Sequence, residues 1–246
     1  WRELGREADR PLDYLRGVAE CVMGDSRTIP SLAALGAIVR RSRKNGFFGV
    51  DSASWALSAV AETDFSKREF LFVNLMEAHQ PYEIPEHYRT VDPPDIVPVV
   101  GDIEVGDIDH ERTRCAYDDA SRYLSDMYRQ IFAELVDAFD VVITLSDHGE
   151  MLGENGIWGH EYGVYPQLTH VPLSIHGDGL SESCSQPVGL TDVYDTVLAL
   201  AGIDSTSGGQ DLTAEVNSRD YRVEYHGLTP WSEKRLEAIG YSDEEI

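Results

Sequence analysis

An amphipathic helix that hands over directly to a short apolar strand does most to limit how this chain can fold. Tyr117, Ala120, Leu124, Met127 (or Tyr128), Ile131 and Leu135 recur by threes and fours, and Asp118, Asp119, Asp126 and Asp137 are expected elsewhere around the helix. Asp140 leads into the strand Val141–Leu145, which ends in Ser146-Asp147-His148-Gly149-Glu150. A helix feeding a buried strand is the building unit of α/β folds, and open α/β sheets gather ligands beyond the carboxyl ends of their strands. Residues 70–76, Phe-Leu-Phe-Val-Asn-Leu-Met, form a second apolar run, of the kind expected for a strand buried on both faces of a parallel sheet.

The remaining segments fit the same class. Asp9-Arg10-Pro11 opens a helix with apolar residues to Val22, residues 31–41 follow Pro30 as a second helix, and residues 51–61 as a third. Residues 81–109 hold prolines and acids without a period, which predicts a long loop. Residues 153–163 read as a Gly-rich loop, 171–175 as a short strand, and 190–201 as a helix closed by Gly202. After a turn-rich linker at 205–209, residues 221–225 are expected to be a strand. The expectation is a three-layer α/β/α sandwich with a mostly parallel sheet, joined to the start of a small C-terminal α+β subdomain. Residues 1–203 form the first (1–65 helical, 66–203 the core strands and candidate metal loop) and 204–246 the second.

Charge narrows the setting. Asp and Glu number 44 against 20 Lys and Arg, a formal net charge of -24, and only Lys44, Lys67 and Lys234 are lysines. The acids are dispersed, so they read as the surface of a folded protein kept soluble in concentrated salt, where the Debye length shrinks to roughly 3 Å at 1 M. The cytoplasm of a salt-adapted organism is the expected compartment. Such a surface opposes nucleic acid as a partner, and no apolar stretch approaches the roughly 18 residues of a membrane span. Cys21, Cys115 and Cys184 make no C-x-x-C pair and read as reduced thiols, Cys115 as core packing. Trp1 stands where an initiator Met would, so the chain is expected to be the C-terminal part of something longer. Oligomeric state has no signature here.

Asp147 and His148 offer one hard oxygen and one imidazole nitrogen to a common point, which suits Zn²⁺ or Mn²⁺ and tolerates Ca²⁺ or Mg²⁺ beside further carboxylates. Spacing alone equally permits a strand-end Asp capping loop amides beside a solvated His. His79 follows the first apolar run and His160 the second, so both fall near strand ends.

Ser146-Asp147-His148-Gly149-Glu150-Met151-Leu152-Gly153-Glu154, with Thr169-His170-Val171-Pro172-Leu173 behind it, resembles the sulfatase branch of the alkaline phosphatase superfamily. Phe72-Val73-Asn74-Leu75-Met76-Glu77-Ala78-His79-Gln80-Pro81-Tyr82, the helix at Tyr117-Asp118-Asp119-Ala120, and Leu190-Thr191-Asp192-Val193-Tyr194-Asp195 follow that family's order over about residues 70–226. The resemblance implies an alkaline-phosphatase-like fold and one divalent cation (Ca, Mn, Mg or Zn), with Asp147 and His148 among its ligands. It also implies a small sulfate-ester or sulfated-sugar substrate. His79 would hold sulfuryl or phosphoryl oxygens or protonate the leaving group, and His160 stands where many sulfatases place a lysine that contacts sulfate. His170 and His176 are expected to be structural, and Glu150 a loop or supporting carboxylate. The family's nucleophile, a formylglycine made from Cys or Ser in C-x-P-x-R or C-x-A-x-R, has no match in this sequence, and no Asp-Asp strand precedes residue 70. The implied activity is therefore sulfuric ester hydrolysis by an intact protein, with the isolated chain expected to be inactive. Phosphoryl or phosphoethanolamine transfer, and a degenerate binding domain, are the alternatives.

Overall fold

The computed structural model describes residues 51–94, 99–100, 103–104, 108–180, 184–205 and 207–242. The helices expected near residues 11–22 and 31–41 lie outside them, as does Cys21.

Helix α1 (Ser52–Ala61) starts where Asp51 caps it, the carboxylate accepting from the Ser54 amide at 3.1 Å. Its small residues Ala53 and Ala56 are buried, which lets a neighbouring helix approach closely. Strands β1 (Val99–Val100) and β2 (Ile103–Glu104) form a minimal antiparallel hairpin within the segment expected to be loop. Helix α2 (His110–Ala138) begins two turns earlier than the apolar periodicity indicated. Asp109 caps it, accepting from the Arg112 amide at 3.0 Å.

Packing of α1 against α2 builds the largest core. Ala53, Tyr82, Ile84, Ala116, Ala120, Tyr123 and Met127 are all buried in it. Each fully buried large side chain there contributes about 1.5–3 kcal/mol. Asp119, expected on the polar side of α2, is instead buried. It accepts from the Thr90 hydroxyl at 2.9 Å and pairs with Arg122, so the helix grips the segment that follows His79. A buried carboxylate is tolerable because its oxygens are satisfied.

Strand β3 (Val141–Leu145) lies where expected. Next come β4 (Met151–Leu152), β5 (Trp158–Gly159), the short helix α3 (Pro166–Thr169) and β6 (Leu173–Gly177). All three ladders among the described residues are antiparallel, including β3 with β6, in which Val141 faces Gly177 and Leu145 faces Leu173. An antiparallel return needs no crossover helix. The chain thus mixes helices and strands as an α/β protein, without a parallel ladder among the described residues.

Two expected strands are corrected. Residues 70–76 run without a ladder, with Phe70 72% and Phe72 76% exposed. An apolar run shows that a segment demands cover, but strand structure also needs hydrogen-bonded neighbours. Residues 221–225 likewise form no strand. Tyr221 is held instead by its hydroxyl on Asp192 of helix α4 (Leu190–Leu200), at 2.5 Å.

Asp192 also accepts from the Gly189 amide at 2.8 Å, the Gln210 amide at 3.0 Å and the Arg219 guanidinium, so it ties residues 205–221 back onto α4. Gly202, at φ +70°, ends α4 as expected. Helix α5 (Pro230–Ala238) closes the described chain, capped by Thr229 on the Ser232 amide at 3.2 Å. No helix among the described residues is long and apolar enough to cross a membrane. Cys115 is half-buried and Cys184 exposed, both as free thiols.

Candidate active site and metal half-site

The loop after β3 is shaped by one close approach. Gly149 donates its amide to the Leu168 carbonyl at 2.9 Å, and a Cβ there would run into the Gln167 carbonyl oxygen. Glycine is therefore required for the loop to seat against α3. Seating presents Asp147 and His148 beside each other, with Asp147 Oδ2 3.7 Å from His148 Nε2. His148 Nδ1 lies 2.9 Å from the Gly149 carbonyl oxygen. A carbonyl only accepts, so Nδ1 donates to it and Nε2 is left on the side of Asp147. A hydrogen bond from the other ring nitrogen is how a metal-ligating imidazole is held in orientation.

His79 sits on the turn that ends the apolar run. Its amide donates to the Met76 carbonyl at 2.9 Å, and its carbonyl accepts from the Tyr82 amide at 3.0 Å. Its own Nδ1 donates to the Gln80 carbonyl at 2.7 Å, which turns Nε2 outward. Tyr82, at φ +60° and 1% exposed, plants this turn in the α1–α2 core with its ring edge on Tyr117. Burial and then the charge of Glu150 push the Tyr82 phenol well above its ordinary pKa.

The β4–β5 hairpin carries His160. Gly153, at φ +102°, makes the turn. Arg114 of α2 holds the hairpin by donating to the Leu152 carbonyl at 2.8 Å and lying over the Trp158 ring. His160 stacks on His148 with ring centroids 4.3 Å apart, and meets His79 edge-on at 5.1 Å. Its Nδ1 is 2.7 Å from Glu150 Oε2. That hydrogen bond, with the charges of Glu150, Glu161 and Asp147, holds the His160 pKa above its ordinary value against the opposing effect of burial.

Three of the four residues singled out from the sequence thus come together as one imidazole cluster, with Asp147 adjoining through His148. His176 packs on Phe132 and His170 ends α3, both outside the cluster. Glu150 is the loop or supporting carboxylate expected, and Gln80 is a participant the sequence did not assign: Gln80 donates from Nε2 to Glu150 Oε1 at 3.1 Å, so Glu150 joins the His79 turn to His160. The Glu150 side chain is 6% exposed, whereas Asp147 is 84% exposed and open to a ligand. The only hint of Gln80 was its place inside the His79 motif. Among the described residues no group of three or more His, Cys, Asp or Glu is arranged to hold a metal ion, so Asp147 and His148 stand as a pair.

The family model for Sulfatase matches residues 21–203. The chain belongs to the sulfatase family. Sulfatase-family relatives include the Danio rerio protein named arylsulfatase K, 36% identical over 94 residues, covering 37% of this chain and 17% of that protein. The Haloferax volcanii low-salt glycan biosynthesis sulfotransferase Agl7 is 33% identical over 107 residues, covering 37% of this chain and 26% of that protein. An uncharacterized Escherichia coli sulfatase, YidJ, is 32% identical over 88 residues, 35% of this chain and 18% of that protein. The matched stretch therefore spans about a quarter or less of these sulfatase relatives. No solved structure matches. The sulfatase family generally uses a divalent cation.

Proposed function

We propose that this chain supplies the oxyanion-facing histidines and half of the metal site of a sulfuric ester hydrolase. The convergence of His79, His148 and His160 beside the open carboxylate of Asp147 carries the reading. Asp147 and His148 fit a divalent cation (Ca, Mn, Mg or Zn), because a hard oxygen and an imidazole nitrogen face each other. When bound, the cation supplies Lewis-acid stabilisation of ester oxygens and activates an oxygen nucleophile.

The chain's own residues do the rest. His79 presents Nε2 outward to a sulfuryl oxygen or to the leaving-group oxygen. His160, whose protonated form Glu150 favours through their hydrogen bond, donates to a second oxygen of the ester. The substrate is a small sulfate ester or sulfated sugar. The nucleophile is a residue this sequence does not show, since no Cys or Ser stands in a formylglycine pattern. On this reading the described residues up to 203 belong to a three-layer sulfatase-like sandwich, in keeping with the match over 21–203, and the described residues from 204 begin a smaller subdomain.

Turnover of p-nitrophenyl sulfate by the polypeptide that carries the nucleophile tests the reading. Cation-dependent hydrolysis, lowered by His79→Ala and by His160→Ala, is expected. Equal rates in both variants and the parent would overturn it. Group transfer is the second reading, favoured by the sulfotransferase name of the Haloferax relative and by Gly153-Glu154-Asn155-Gly156 with His160. Product transfer to an added sugar alcohol, in place of release to water, would select it.

A further inference from the structure

Glu150 is buried between the two histidines that the proposed function places on the ester, and it touches both sides. One oxygen, Oε1, takes the Gln80 amide at 3.1 Å, and the other, Oε2, meets His160 Nδ1 at 2.7 Å. Gln80 is the residue whose carbonyl accepts from His79 Nδ1 at 2.7 Å. A continuous path therefore runs His79, Gln80, Glu150, His160, joining two turns that are 80 residues apart in sequence. The path has rigid mounts at both ends. Tyr82 anchors the His79 turn in the α1–α2 core, and Arg114 of α2 anchors the hairpin bearing His160. The two imidazoles meet edge-on, and the Glu150 carboxylate ties the turn bearing one to the ring of the other.

We propose that Glu150 is a positioning residue which, by holding Gln80 on one oxygen and His160 on the other, fixes His79 and His160 relative to each other for contact with one tetrahedral oxyanion. The inference rests on the proposed function only in naming the oxyanion; the bridge itself is independent of it. Glu150 touches no substrate and acts through the two histidines. Gln80 and Glu150 work as one unit, so removing either releases the same constraint.

The test uses the full 246-residue chain, NMR of its imidazole resonances, and inorganic sulfate as probe. Gln80→Ala removes the amide that reaches Glu150 and leaves the backbone carbonyl that holds His79. Its expected signature is a shift or broadening of the His160 ring resonances, carried through Glu150. Sulfate affinity is expected to fall about tenfold in Gln80→Ala and in Glu150→Ala, the lower end of what supporting partners carry. The double variant is expected to be no weaker than the worse single one.

An unmoved His160 spectrum in Gln80→Ala overturns the proposal, as do losses that multiply in the double variant. Failure of the parent chain to bind sulfate, with the His160 shift present, overturns the oxyanion role and leaves the bridge standing.

Discussion

Asp147 Oδ2 and His148 Nε2 face each other across 3.7 Å, while the Gly149 carbonyl holds the opposite nitrogen of the same imidazole. That relationship turns an adjacent Asp-His pair into two convergent donors. Asp147→Ala is expected to lower divalent-cation affinity by more than the roughly 10–100-fold typical of supporting residues. Metal analysis of the purified protein checks it, and unchanged content in the variant would sink the ligand assignment.

Gly149→Ala tests the seating of that loop. The added methyl would occupy the place of the Gln167 carbonyl, so either α3 or the Asp147-His148 loop must move. A loss of about 1–3 kcal/mol is expected, the cost of overpacking a tight contact. Denaturant unfolding measures it. A variant as stable as the parent would show that the contact is slack.

Asp192 should dominate the stability of the chain after α4. Its carboxylate is fully buried and accepts from two amides, a phenol and Arg219. Asp192→Ala leaves those donors without an acceptor, and a loss of about 3 kcal/mol is expected, near the low end for breaking a buried pair because Arg219 is partly exposed. Limited proteolysis gives the local readout: cleavage within residues 205–225 should speed up before the α1–α2 core becomes sensitive.

Asp195 gives a pH dependence with a definite sign. Hydrogen bonds from Ser205 and Ser207, and from the Gly209 amide, hold its pKa below the ordinary 3.8. A carboxylate depressed in the folded state adds stability that is fully present above the unfolded value and is lost as pH falls through the folded one. Ser207→Ala should therefore destabilise the chain by an amount that is constant above about pH 5 and shrinks on acidification toward the folded pKa. Unfolding curves from neutral pH downward decide the matter; a gap that widened in acid would contradict the assignment.

How far the fold was legible depended on which physical signal each element carries. Helix α2 was visible because its apolar face repeats over many turns. Its first two turns were not, since Asp109-His110-Glu111-Arg112 offers a cap and polar residues but no apolar marker. Asp119 was placed on the polar side because a lone Asp carries no sign that Thr90 will fold back onto it. Asp147 and His148 could be singled out because they follow a strand directly. The His160–Glu150 contact depends on a hairpin turned by Gly153 and clamped by Arg114, a tertiary event without a local period. Residues 70–76 carry the converse lesson: apolarity predicted a need for cover, and the described chain leaves Phe70 and Phe72 outward.

Tyr82 gives the cluster a dependence on distant packing. Because the turn bearing His79 is rooted among Ala53, Ala116, Ala120 and Met127, loosening those helices would displace the His79 imidazole before unfolding anything. A genetic screen for inactive variants should accordingly return small-to-large changes at Ala53 or Ala120 whose products remain folded, metal-loaded and silent.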